Sequence, residues 1–186
     1  MRNLDLNKGL VIWITGFSGA GKTTISKLLI SELKEEGFPV VFLDGDELRE
    51  VLSANRDSQF EYDRNERMIL SRSYSSLAKL LAAQGLIVVV STISLYKEIH
   101  QSNRDNIPNY FEVFIDVPLE VRQSRDPKGI YNRYSRGLEH NVAGLDLNAD
   151  IPEFPNLRIE YADGASARDQ MLVIKDSLKK VGLINV

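Results

Sequence analysis

Cysteine is absent from the 186 residues. That excludes disulfides, thiolate metal sites and cysteine redox chemistry, and it suits a reducing compartment. No apolar run approaches the roughly 20 residues a membrane-spanning helix needs, so no membrane partner is expected. Met1 to Gly9 carries Asp5 and no apolar stretch, so no signal peptide is expected and a cytoplasmic location is. Excess positive charge is missing too. The net charge of −3 argues against nucleic-acid binding by bulk electrostatics, and an anionic small ligand would need a local cluster of cations. There is no internal repeat and no linker-like stretch. The length suits a single domain, residues 1–186, with its own core. His140 has no second His or Cys nearby at ligand spacing, which makes it a surface hydrogen-bonding residue rather than a metal ligand.

What is present centres on Gly16-Phe17-Ser18-Gly19-Ala20-Gly21-Lys22-Thr23, followed by Thr24. Two glycines with four residues between them, then Lys and Thr, form the phosphate-binding pattern. Its context agrees. Leu10 to Thr15 is an apolar run of strand length, and Ile25, Leu28, Leu29 and Leu33 then recur at helical spacing until Gly37-Phe38-Pro39. Glycines let backbone N–H groups point inward at phosphate oxygens, and the helix N-terminus adds positive potential. Lys22 is expected to reach the β- and γ-phosphates, and Thr23 to place its hydroxyl on Mg²⁺. The chain therefore reads as a binder of a nucleoside triphosphate.

Further buried strands are expected at Val40–Leu43, Leu86–Val90, Phe111–Val117 and Leu157–Tyr161. Helices are expected at Glu47–Leu52, at about Asp63–Gln84 with Ile69, Leu77, Leu80 and Leu81 facing inward, at Tyr96–Ile107, from Pro118, and at Ala165–Val181. Ala54 to Glu61 reads as a polar loop. From Asp126 to about Pro155 apolar periodicity fades while Gly, Pro, Asn and charge accumulate, which predicts a functional lid. Alternating strands and helices predict an α/β, three-layer sandwich of the P-loop NTPase type: a parallel five-stranded sheet, helices on both faces, and a lid. Ligands then sit beyond the carboxyl ends of the strands, where the polar clusters fall.

Asp44 and Asp46 leave the second strand on either side of Gly45. Phosphoryl transfer to a hydroxyl needs one carboxylate to orient or accept the proton and another group to hold the metal. A helix cap would account for Asp46 but not for Asp44. The third strand ends in Ser91 rather than an acid, so Asp44 is the candidate to serve Mg²⁺ through water. Arg49, Arg64, Arg67 and Arg72 form one basic cluster, of which Arg49, Arg64 and Arg67 are candidate grips for an anionic acceptor. Arg122, Arg125, Lys128, Arg133 and Arg136 form another, at and inside the lid, placed to close over phosphate charge. Phe60 would stack on a base or anchor its loop. A regulatory nucleotide switch is disfavoured because no Asn-Lys-x-Asp guanine-reading motif occurs. Retention of Lys22, Thr23, Asp44 and Asp46 speaks against a degenerate kinase that binds without turnover.

Gly16–Thr23, Leu43-Asp44-Gly45-Asp46 with Arg49, Asp63-Arg64, Gly85–Ser94, Glu112–Glu120, Arg125–Tyr131 and Asn141…Gly144-Leu145-Asp146 together resemble the adenylylsulfate kinase family over about residues 8–160. The resemblance implies transfer of the ATP γ-phosphate to the ribose 3′-hydroxyl of a sulfated nucleotide, with Mg²⁺, in a homodimer. It also implies acceptor contacts from Phe60, Ile93, Ser94, Lys128, Asn141 and Val142, and an ATP contact from Arg125. Departures gather on the acceptor side. Glu47 stands where the family has Asn, and Asn65 to Leu70 lacks the family's Asn and arginine pair. Val142 replaces an aromatic residue, and Leu95 replaces Pro. Intact donor machinery beside a rewritten acceptor pocket resembles the cytidine diphosphoramidate kinases of capsule pathways.

Overall fold

Strand β1 (Leu10–Thr15) runs through the centre of the sheet with every residue buried. Its side chains alternate, so Ile12 and Ile14 enter one apolar cluster while Val11 and Trp13 enter another. The computed structural model describes residues 9–53 and 63–185. Strands β2 (Val40–Asp44), β3 (Ile87–Thr92), β4 (Tyr110–Asp116) and β5 (Leu157–Glu160) complete a five-stranded sheet of order β2-β3-β1-β4-β5. Every pairing is parallel. A sheet covered on both faces explains the near-continuous Val/Ile runs. On one face lie helices α1 (Lys22–Glu35) and α7 (Ala167–Lys180), packing Ile25, Leu29, Leu33, Met171, Ile174 and Leu178 against the strands. Lys175 of α7 joins the two through ion pairs with Glu32 and Glu36.

The opposite face carries α3 (Arg64–Ala82) and α4 (Lys97–Asn106). Here the sequence expectation needs correcting. Ile69 and Leu80 are 52% and 59% exposed, and the buried stripe is Leu70, Tyr74, Ala78 and Ala82. These recur every four residues, and two alanines let the helix approach the sheet closely. Leu77 and Leu81 only flank it. Helix α2 (Gly45–Ser53) begins two residues earlier than expected, directly at the end of β2. Pro118 caps α5 (Leu119–Arg125) instead of lying in its first turn.

The expected lid at about 126–155 is more built than its composition suggests. It contains helix α6 (Ile130–Ser135), whose first turn is held by Asp126 accepting from the Tyr131 and Asn132 amides. Beyond it, Asp146 accepts from the amides of both Asn141 and Val142 at 2.8 and 2.6 Å. Ala143 then packs with Phe17, Leu95 and Phe114. The end of this strap is fixed by Asp150, whose amide donates to the Leu95 carbonyl. The Asp150 carbonyl lies 3.2 Å from His100 Nε2. His100 in turn meets the fully buried Glu112, which also accepts from Arg104 and Tyr110. A buried carboxylate with that many partners is satisfied rather than costly.

Gly144 shows how tightly the strap sits. It has φ +81°, and a Cβ there would come 2.5 Å from the Phe17 ring. The Arg122 guanidinium also packs over that ring, 4.3 Å from its centroid. Gly144→Ala should therefore cost about 2 kcal/mol through overpacking and backbone strain. That corresponds to about 4–8 °C in Tm for a chain of this size. An unchanged melting curve would show that the strap is not seated on the phosphate loop.

Candidate active site

The glycine loop combines positive φ with close backbone approaches that disfavour a side chain. A Cβ on Gly16 (φ +152°) would lie 2.6 Å from the Ile115 carbonyl, and one on Gly19 (φ +76°) 3.1 Å from that of Arg122. Gly21, at φ +92°, caps α1, so the loop leads into a helix N-terminus. Arg122 belongs to the scaffold of this loop rather than to a cover over ligand charge. It is buried, donates to the Val117 carbonyl and the Tyr131 hydroxyl, and Tyr131 donates to the Ser18 carbonyl.

The loop opens into a cavity of about 750 Å³. Ser18, Gly19, Ala20, Gly21, Lys22, Thr23 and Thr24 line its phosphate end, and Arg125 extends that wall. Asp44, Asp46, Arg49, Arg67, Ile93, Ser94 and Lys128 line the remainder among the expected residues. Four others lie off the wall. Gly16 shapes the loop from beneath. Arg64 is turned to Asp150 (2.8 Å) and the Asn148 carbonyl (3.1 Å), and packs over Tyr96. Asn141 and Val142 are drawn inward by Asp146; Asn141 instead offers its carbonyl to Arg67 at 2.8 Å. Of the α3 arginines, the one that lines the cavity is thus Arg67, one helical turn beyond Arg64. Arg72 is exposed beside Met68, and Phe60 lies outside the described residues.

Sequence reading missed Leu70, Ser71, Tyr74, Thr92 and Tyr96 on the α3 side, and Ala165, Ala167 and Gln170 at the start of α7. A signal for the first group existed. Positions 67, 70, 71 and 74 fall on one helical face, so fixing Arg67 at the cavity would have placed its neighbours there too.

Lys22 Nζ donates to the Phe17 carbonyl at 2.9 Å. Burial lowers its pKa to about 8, with help from Lys128 and against the pull of Asp46 and Asp44. Thr23 donates its hydroxyl to Asp44 at 2.9 Å and lies 3.4 Å from the Ser91 hydroxyl. Asp44 uses its other oxygen to accept the Asp46 amide at 2.9 Å. The capping task that might have explained Asp46 therefore falls to Asp44. The Asp46 carboxylate is half-exposed on the cavity wall and is paired with both Arg49 and Lys128. Burial alone would raise its pKa; Lys128 by hydrogen bond and charge, then Arg49 and Lys22, overcome this and hold it below the usual carboxylate range.

A five-stranded parallel sheet, with a glycine-rich phosphate loop between its central strand and the following helix, defines a P-loop nucleotide-binding phosphotransferase. Comparison with known proteins narrows this. The profile of the adenylylsulphate kinase family matches residues 8–160. A cytidine diphosphoramidate kinase from Campylobacter jejuni is 39% identical over 147 residues, which is 79% of this chain and 84% of that protein. A probable adenylyl-sulfate kinase from Pyrococcus abyssi is 37% identical over 177 residues, covering 95% and 99%. The structure of the Mycobacterium tuberculosis APS kinase in complex with AMPPNP and APS superimposes with a TM-score of 0.83 at 35% identity, covering 92% of this chain and 98% of that one. The chain belongs to the adenylylsulphate kinase family, and it is a kinase that phosphorylates a hydroxyl group.

Proposed function

We propose that the protein transfers the γ-phosphate of ATP to the ribose 3′-hydroxyl of a nucleotide acceptor, adenylylsulfate being the family substrate. The observation that carries this reading is the meeting, in one cavity, of Lys22 and Thr23 with the Asp44-Gly45-Asp46 turn and the Arg49/Arg67 wall. Loop amides and Lys22 would hold the β- and γ-phosphates. Thr23, Asp44 and Ser91 bring hard oxygen donors together, a set suited to Mg²⁺ held directly by the hydroxyl and through water by the carboxylate. When bound, Mg²⁺ would neutralise charge on the transferred group. Asp46, kept ionised by its cations, would orient the acceptor hydroxyl by accepting its hydrogen bond. It suits that role better than storing a proton. Arg125, Ala165, Ala167 and Gln170 line the cavity beside the phosphate loop, where the donor's base would lie.

A second acceptor, cytidine diphosphoramidate, is favoured by the Campylobacter relative and by the position of Val142. With Val142 buried off the cavity wall, one expected face for a purine is missing, and a lost stack removes about 1–3 kcal/mol per base. Measuring kcat/KM for both acceptors at saturating ATP and Mg²⁺ decides between them, a tenfold preference being decisive either way. Failure to form ADP with either would end the kinase reading. The family's dimeric habit and a cytoplasmic site of action are part of the same proposal. Among the described residues no helix is long and apolar enough to cross a membrane, and sedimentation would test the dimer.

The lowered pKa of Lys22 gives an independent check. Above about pH 8 the ligand-free protein increasingly carries this lysine neutral, whereas a bound triphosphate favours the ammonium. Binding in that range should take up protons, and affinity should fall as pH rises, by at most about tenfold per unit. Calorimetric titration of an ATP analogue in buffers of different ionisation enthalpy reads the uptake directly. No proton exchange above about pH 8 would separate Lys22 from the phosphates.

A further inference from the structure

Three hydroxyls on the acceptor side of the cavity form a continuous chain. Ser71 Oγ is 2.7 Å from Ser94 Oγ, which is 2.8 Å from Thr92 Oγ1. Ser71 also donates to the Arg67 carbonyl at 2.8 Å. All three line the cavity, and all three residues are otherwise buried. Ser94 is held at φ +28°, a conformation that costs a non-glycine residue and persists where the surroundings enforce it.

Where Ser71 keeps its bond to the Arg67 carbonyl, the direction of the chain follows. A carbonyl only accepts, so the single Ser71 proton is committed to Arg67. Ser71 must then accept from Ser94. With its own proton spent, Ser94 must accept from Thr92. Every hydroxyl proton is used internally, and only lone pairs remain for a ligand. Resting on the acceptor-nucleotide reading above, we infer that this hydroxyl chain is a specificity determinant that selects an acceptor presenting an N–H donor to it. A group composed only of acceptor oxygens, such as a sulfonate or terminal phosphate, would meet lone pair against lone pair. The N–H could belong to an exocyclic amino group of the base or to a phosphoramidate nitrogen; the chemistry required of the wall is the same.

Two acceptor pairs separate these sources. Cytidine and uridine diphosphate differ at the base amino group; cytidine diphosphoramidate and cytidine diphosphate differ at the terminal nitrogen. The wild-type protein should prefer the N–H-bearing member of one pair by about tenfold or more in kcat/KM, since the poorer partner leaves buried polar groups mismatched. Ser71→Ala frees the Ser94 proton to turn toward the cavity, and should bring that ratio close to one. General loosening of the fold would affect both members of a pair alike and leave their ratio intact. Equal use of both members in both pairs by the wild type, or a ratio untouched in Ser71→Ala, would overturn the inference. Dissociation constants for the same four nucleotides are measured in parallel. Absence of ADP formation would then sink the kinase reading alone, while binding ratios still decide whether the hydroxyl chain selects N–H donors.

Discussion

Lys22→Ala should lower turnover by about 10²–10³-fold, the loss typical of removing one preorganised donor from developing transition-state charge, with little change in melting temperature. Stability is expected to hold because the ammonium contributes little to the fold. Among the described residues its ammonium hydrogen-bonds the Phe17 carbonyl, which also accepts from the Ala20 amide. The lowered pKa says that burial disfavours the charged form, so truncation removes a strained group rather than a stabilising one. Lys22→Arg should rescue poorly. The loop leaves its backbone no slack, with Gly16 against Ile115 and Gly19 against Arg122, and a planar fork cannot replace a compact charge there. A folded Lys22→Ala protein with normal kcat would end the assignment of the loop to phosphoryl transfer. A protein that merely melted earlier would recast Lys22 as structural.

The donor half of this site was legible in the sequence because it is local. Eight consecutive residues, the strand before them and the helix after them carry the signal, and most of the eight line the phosphate end of the cavity. The same holds for Asp44 and Asp46, which β2 delivers beside the loop. The acceptor half depends on how helices are rotated and on which residues a distant carboxylate draws in. Hydrophobicity favoured Ile69 and Leu80 as the inner face of α3, but close approach to the sheet selected Tyr74 and two alanines. That rotation turned Arg67 and Ser71 toward the cavity, while Asp150, 86 positions away in the chain, captured Arg64. Likewise Asp146 took the Asn141 and Val142 amides and pulled both residues off the wall. Composition flagged residues 126–155 as unusual but could not show that Phe17 and Arg122 anchor this stretch to the phosphate loop.

Asp46→Asn should reduce kcat by about 10²-fold with affinity for ATP nearly unchanged. The substitution preserves size and one acceptor oxygen, so what it removes is the charge that fixes the acceptor hydroxyl and favours loss of its proton. Helix capping does not confound the result, since the Asp46 amide is held by Asp44 and the Asp46 carboxylate points to Arg49 and Lys128. Those pairs are partly exposed, and their loss should cost at most about 1 kcal/mol of stability. The sign of the pH dependence follows from the same contacts. A carboxylate held below its ordinary range stays ionised as pH falls through that range, so the acidic limb of kcat in the wild type should lie lower than an unperturbed aspartate would give. Lys128→Ala removes the cation that lowers it most, so the limb should move to higher pH while the carboxylate remains. If Lys128→Ala left the limb in place and Asp46→Asn turned over at the wild-type rate, Asp46 would be a surface acid holding two cations, and the orienting role would pass to another group.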